Sequence, residues 1–309
     1  MKRHALCIRR GWKHAVPVIL LFFLLAAAAV PFGASARWNK VFSFFGLGGF
    51  SSYADGWPAC VHILDVGKAD SILVECKGHW MLVDGGTPEK GKIVVRYLKR
   101  RGVTRLDYVV NTHPDEDHVG GLKDVLEDFP VQHYLATKVR PDLIPEDSAY
   151  LDTMAALRRK GLPEEIPKPG DQFSLSSMEI CVLGPVVPGN STNNSSVILM
   201  LRYRSIRFLL TGDAEKEEEQ SLLAAGENLS ADMLKVGHHG SNTSTCAEFL
   251  KAVHPKYAAI SVGYDRNKLP KAEVLKWLSL AGAKIYRTDV EGTILFLTDG
   301  KTITVKTEK

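Results

Sequence analysis

The sequence predicts an α/β protein built as a four-layer αββα sandwich: two sheets packed face to face, each covered outside by helices. Three observations point there. Apolar runs of strand length alternate with stretches of helical spacing from Val61 to Val305. The alternation falls into two halves of similar plan, each beginning in paired strands. In both halves a strand ends abruptly in Asp or His, which collects polar groups along one rim at the C-terminal edges of the strands.

In chain order, Val61–Val66, Ser71–Cys76 and Trp80–Val83 read as short strands, broken at Gly67 and at Lys77-Gly78. Lys90–Arg101 carries Ile93, Val94, Tyr97 and Leu98 at helical spacing. Leu106–Thr112 is a buried strand, and Gly120–Phe129 a helix with Leu122, Val125 and Leu126 on one face. Ser148–Arg159 is helical. Met178–Leu183, Ser196–Tyr203 and Arg207–Thr211 are strands, the last two a hairpin turning at Arg204-Ser205. An acidic helix at Ala214–Ala225, a strand at Met233–Val236 and a helix at Thr245–Val253 follow. Tyr257–Val262 is a strand, Lys271–Leu280 a helix, and strands near Lys284–Arg287, Gly292–Leu297 and Thr302–Val305 close the pattern.

The first residues follow a different rule. Lys2, Arg3, Arg9, Arg10 and Lys13 precede an uncharged apolar run from Ala15 to Val30, and Ala34-Ser35-Ala36 offers a small-x-small cleavage site. This layout is that of a secretory signal peptide, with retention as an N-terminal anchor the alternative. We therefore expect a signal peptide or anchor over 1–36, a linker over 37–58 and the folded domain over 59–309. The expected location is extracytoplasmic, either secreted or held to a membrane by residues 15–30. Without residues 1–36 the chain has 34 Lys/Arg against 35 Asp/Glu, so its formal charge falls from +4 to −1. A global basic field that attracts nucleic acid is not supported. Of five cysteines none has C-x-x-C spacing, which excludes a zinc ribbon. Cys60, Cys76, Cys181 and Cys246 are left as either two disulfides or buried thiols.

The chemistry concentrates at His113-Pro114-Asp115-Glu116-Asp117-His118. A buried strand running into this stretch is costly unless its polar groups find partners. Pro114 stops the strand, and Gly120-Gly121 lets a helix start close by. His113, Asp115, Asp117 and His118 are four donors in six residues, able to reach one or two divalent ions. Imidazole mixed with carboxylate suits zinc, manganese or iron. Phe208–Thr211 leads through Gly212 to Asp213, which alone would read as a helix N-cap. Leu234-Lys235-Val236 leads to Gly237-His238-His239-Gly240, and Trp80–Val83 leads to Asp84-Gly85-Gly86. Asp84 is placed to orient histidines from behind rather than to bind metal. His62, His133 and His254 read as core or surface histidines.

Residues 60 to about 306 resemble the metallo-β-lactamase fold, and within it the ComEC-like hydrolase domains and their stand-alone relatives. The matching segments are Leu64–Ser71, Asp84-Gly85-Gly86, Thr112–Gly121, Asn193–Ser196, Leu209–Glu215, Leu234–Ser241 and Asp289–Gly300. The resemblance implies a divalent-metal hydrolase with one or two ions, Zn or Mn. His113 and Asp115 would serve one metal, Asp117 and His118 the other, and Asp213 both. Of His238 and His239, one would add a ligand and the other would face substrate; His238 stands first as ligand and His239 as catalytic group. A metal-bound hydroxide oriented by Asp117 would attack, and Asn194 and Ser196 would hold an oxyanion. Asp115 replaces the His commonest in the fold, as is usual in the ComEC-like group. Lys68-Ala69 stands where the family often has Gln-Gly. Leu269 stands where ComEC-like chains often have His.

The resemblance implies a phosphodiesterase or nuclease, with DNA or a cell-wall polymer as partner. Lys99-Arg100-Arg101 and the set Arg202, Arg204 and Arg207 are local basic clusters, read either as phosphate contacts or as solvated faces. An ester or amide hydrolase acting on a lactone or lactam is the second reading. A non-catalytic binding protein with a degraded site, suggested by Leu269, is the third.

Overall fold

The computed structural model describes Ala54 and residues 56–187, 189–264, 266 and 268–309. The expected signal peptide or anchor, and the expected linker through Tyr53, lie outside these residues. Among the described residues, no helix is long and apolar enough to cross a membrane.

Strands β1 (Ala59–Ile63), β2 (Ile72–Cys76) and β3 (His79–Val83) form an antiparallel meander. Helix α1 (Gly91–Arg100) then crosses to β4 (Leu106–Asn111), which pairs parallel with β3. Helices α2 (Glu116–Val119) and α3 (Leu122–Asp128) lead to β5 (Val131–Ala136), and α4 (Ser148–Lys160) leads to the short β6 (Glu164–Glu165). β7 (Gln172–Leu175), β8 (Met178–Gly184), β9 (Ile198–Tyr203) and β10 (Ile206–Leu210) open the second sheet. α5 (Lys216–Ala225), β11 (Met233–Lys235), α6 (Ala247–Val253), β12 (Tyr257–Ile260), α7 (Ala272–Leu280) and β13 (Lys284–Arg287) continue it in parallel. A short α8 (Thr288–Glu291) precedes β14 (Ile294–Thr298) and β15 (Ile303–Thr307).

The sheet orders are β15-β14-β1-β2-β3-β4-β5-β6 and β13-β12-β11-β10-β9-β8-β7. One apolar core lies between them, joining Val61, Val74 and Val110 of the first sheet to Ile180, Leu201 and Phe208 of the second. The outer face of the first sheet packs on Val94 and Leu98 of α1, Val125 of α3 and Leu157 of α4. The outer face of the second packs on Leu222 of α5, Phe249 of α6 and Leu278 of α7. Four layers follow because strands buried on both faces need a covering on each side. The fold is the four-layer αββα sandwich.

The expected elements differ from the observed ones in three informative ways. β14 and β15 return to the first sheet, beside β1, so the second half gives its last two strands to the first sheet. The helix expected over Gly120–Phe129 is divided: α2 begins inside the donor run and α3 follows Gly120-Gly121. β5, β6 and β7 were not expected, since Gln132, His133, Gln172 and Ser174 break their apolar pattern. Among the described residues the four cysteines are free thiols, Cys60, Cys76 and Cys246 buried and Cys181 half-buried.

Candidate metal centre

The donors stand where β3, β4, β10 and β11 end, along one rim of the two sheets. Val197 N donates to Thr112 O at 2.8 Å and so ties the second sheet to the donor loop of the first. Asp115 is the residue before α2, extended at φ −68°, ψ 148°, with no side-chain cap bond to spend its carboxylate on. Asp117 and His118 then fall on the single turn of α2.

Three histidines share one arrangement. His118 Nδ1 is 2.8 Å from Asp84 Oδ2. His239 Nδ1 is 2.9 Å from Ser261 O, and His113 Nδ1 lies 3.1 Å from Thr112 Oγ1 and 3.3 Å from Ser196 Oγ. Each ring is therefore held by protein through Nδ1, and all three are 0% exposed. Their Nε2 atoms, and Asp213 Oδ1, are buried without a hydrogen-bond partner. An unpaired buried polar atom costs on the order of 1–3 kcal/mol, and here four converge.

The distances define a basin. Asp213 Oδ2 is 3.4 Å from Nε2 of both His118 and His239. Asp117 Oδ2 is 3.4 Å from His239 Nε2, and Asp115 Oδ2 is 3.6 Å from His113 Nε2. His113, His118 and Asp213 form one group whose donor atoms lie within 4.8 Å of each other, and Asp117, His118 and His239 form another. Buried imidazoles oriented through Nδ1, with Nε2 turned inward beside carboxylates, fit a divalent cation.

Electrostatics agree. Burial pushes His118 down, yet Asp213 and Asp84 outweigh it and raise its pKa well above the usual imidazole range. Burial pushes Asp213 and Asp117 up, but the neighbouring His239 and His118 hold both far below the usual carboxylate range.

The backbone is bent to make this arrangement. Asp84, His238 and His239 have φ of 60°, 45° and 53°, a left-handed conformation that costs non-glycine residues roughly 1–2 kcal/mol each. Asp84 is fixed by Thr112, whose N and Oγ1 donate to it at 2.8 and 2.7 Å.

Several expected residues take other places. His239, not His238, enters the basin; His238 sits at its lip, with Nδ1 3.0 Å from Thr243 Oγ1 and Nε2 4.0 Å from Asp213. Asp213 is no N-cap: α5 starts at Lys216, and Asp213 N donates to Ser196 Oγ at 3.1 Å. Ser196 is 0% exposed behind His113, and Asn194 is spent on Asn190, Glu217 and the Glu215 amide. Neither side chain is turned toward a substrate, which corrects the oxyanion expectation. The basic clusters are largely paired, Lys99 with Asp128, Arg101 with Glu75 and Arg202 with Glu179.

Two residues were missed. Lys235 is 0% exposed, and its ammonium lies 2.9 Å from Asp70 Oδ2 and donates to Val236 O. Asp70 in turn places Oδ1 3.7 Å from His239 Nδ1. A lysine inside the apolar run Met233–Val236 was the sequence signal for this buried pair.

The chain matches the metallo-beta-lactamase superfamily over residues 64–264. It is 34% identical over 256 residues to ComE operon protein 3 of Bacillus subtilis, covering 76% of this chain and 32% of that protein. It is 32% identical over 295 residues to competence protein ComA of Neisseria gonorrhoeae, covering 91% of this chain and 39% of that one. The chain thus spans about a third of the length of these relatives. The diiron beta-hydroxylase CmlA from Streptomyces venezuelae shares the fold, with a TM-score of 0.54 at 14% identity over 85% of this chain and 60% of CmlA. The protein belongs to the metallo-beta-lactamase superfamily and resembles its ComEC-like competence proteins.

Proposed function

We propose that this protein is an exported metal-dependent phosphodiesterase. The observation that carries the reading is the convergence of three buried, unpartnered Nε2 atoms and Asp213 Oδ1 on one basin. In this reading His113 and Asp115 would hold one ion, Asp117, His118 and His239 would hold a second, and Asp213 would contribute to both. His238, at the lip, faces the substrate. Bound zinc or manganese would lower the pKa of a water molecule and stabilise charge developing on the phosphoryl oxygens.

The formal charges favour two ions. Asp70, Asp84, Asp115, Asp117, Asp213 and Glu215 surround the donors, against the ammonium groups of Lys68 and Lys235. The excess of four negative charges is neutralised by two divalent ions; one ion would leave a field that repels an anionic diester. Three carboxylates stand beside three imidazoles among the donors, which suits a harder ion such as manganese as well as zinc. Likeness to competence proteins favours DNA over a cell-wall polymer as the substrate, and the basic, apolar and small sequence of residues 1–36 supports export.

The test is a paired assay on purified protein supplied with manganese or zinc. Bis-p-nitrophenyl phosphate is expected to be hydrolysed, with activity lost to chelator and restored by the ion, while a chromogenic lactam is left intact. Turnover of the lactam alone would instead support the ester or amide hydrolase.

A further inference from the structure

The metal reading uses Lys68 only as a charge, although its partly exposed ammonium stands against a donor carboxylate. It lies in the connection from β1 to β2, on backbone fixed from both sides. Gly67 turns the chain at φ 84°, and a Cβ on Gly263 would fall 2.6 Å from Gly67 Cα and 2.9 Å from Lys68 N. The strand connection is thus packed backbone against backbone. Two residues on, Asp70 N donates to Asp117 O at 3.0 Å and Gly86 N donates to Asp70 O at 2.7 Å. The stem of Lys68 therefore springs from a platform bonded to the donor loop itself.

From this platform Lys68 Nζ reaches 2.6 Å from Asp117 Oδ2, with side-chain exposures of 30% for Lys68 and 19% for Asp117. The ammonium is at the mouth of the basin, wet on one side and over the donors on the other. Lys235 differs: it is wholly buried and held by Asp70, so it balances charge but cannot meet a substrate. A lysine ammonium is a compact, rotatable point charge suited to a phosphoryl oxygen, and burial on one side strengthens that attraction. A glutamine here could donate a hydrogen bond but supply no charge.

We propose that Lys68 is a substrate-binding residue that selects anionic phosphoryl groups, its ammonium engaging a non-bridging phosphoryl oxygen at the mouth of the basin. This rests on the phosphodiesterase reading and gives it a determinant of substrate charge at Lys68.

The test uses the metal-loaded protein with inorganic phosphate as probe. Phosphate affinity is measured calorimetrically for wild type, Lys68→Gln and Lys68→Arg, with bound metal per chain determined in each. Loss of one charge-assisted contact is expected to weaken phosphate binding about 10-fold in Lys68→Gln. Lys68→Arg, which keeps the cation, is expected to retain most of the affinity, and metal content is expected to stay level across all three. KM for bis-p-nitrophenyl phosphate should rise with the phosphate dissociation constant, while kcat changes less. Unchanged phosphate affinity in Lys68→Gln at equal metal content would overturn the proposal. So would a parallel loss of metal, which would make Lys68 a support for Asp117, or a wild type that does not bind phosphate. Phosphate binding that depends on Lys68 in a protein without diesterase turnover would uphold the anion site and count against the phosphodiesterase reading alone.

Discussion

Asp213→Asn is expected to lower metal-dependent turnover by more than about 100-fold, beyond the effect of losing an outer-shell partner of a metal ligand. The substitution keeps the shape of the side chain and the bond from Asp213 N to Ser196 Oγ, so the fold should persist. What it removes is the charge of the carboxylate that lies 3.4 Å from both His118 and His239. Calorimetric titration of the metal-free variant should show correspondingly weakened ion binding, and circular dichroism should match wild type. A variant that retains wild-type ion affinity would show that Asp213 is not shared between the ions.

The second large effect is on stability. In Gly121→Ala the new Cβ would sit 2.0 Å from Gly85 O, 2.9 Å from Gly85 C and 3.0 Å from Gly91 Cα. All three are backbone atoms, so nothing can move aside as a side chain would. The expected cost is at least about 3 kcal/mol, the upper range of overpacking. Gly85 N also donates to His118 O at 2.7 Å, so the strain passes directly into the donor turn and should weaken metal binding too. Gly102→Ala is the control: unlike Gly121, which has φ −80°, it has positive φ, at 79°, but no neighbour lies within 4 Å of the added Cβ, and about 1 kcal/mol is expected. Denaturant unfolding of the two variants measures the difference.

Both predictions turn on how strand ends meet, which is where the sequence was most and least legible. His113–His118 stood out because buried strands rarely end in four donors, and Asp84 was read as a support for the histidines before its strand was seen to pair with theirs. The layers were legible from interleaved apolar periods. β5 and β7 were not, because they lie toward the edges of their sheets and carry exposed polar residues. The choice between His238 and His239 was not legible either. Adjacent residues with identical chemistry are separated only by left-handed backbone and by the reach of Ser261 O, a residue after β12. Ser196 and Asn194 misled for a related reason: they arrive at the rim in sequence, but tertiary hydrogen bonds turn them into supports for His113, Asp213 and the start of α5.

Lys235 and Asp70 show the same limit from the other side. A buried ion pair is expensive unless it compensates other charges, and here it lies under a basin crowded with carboxylates. Its value is visible only once both sheets are in place.

The most direct test of the metal centre is the ion content of the purified wild-type protein after loading with manganese or zinc and removal of free ion. Two ions per chain are expected, released together with activity by chelator. A folded wild type that retains no divalent ion would contradict the account.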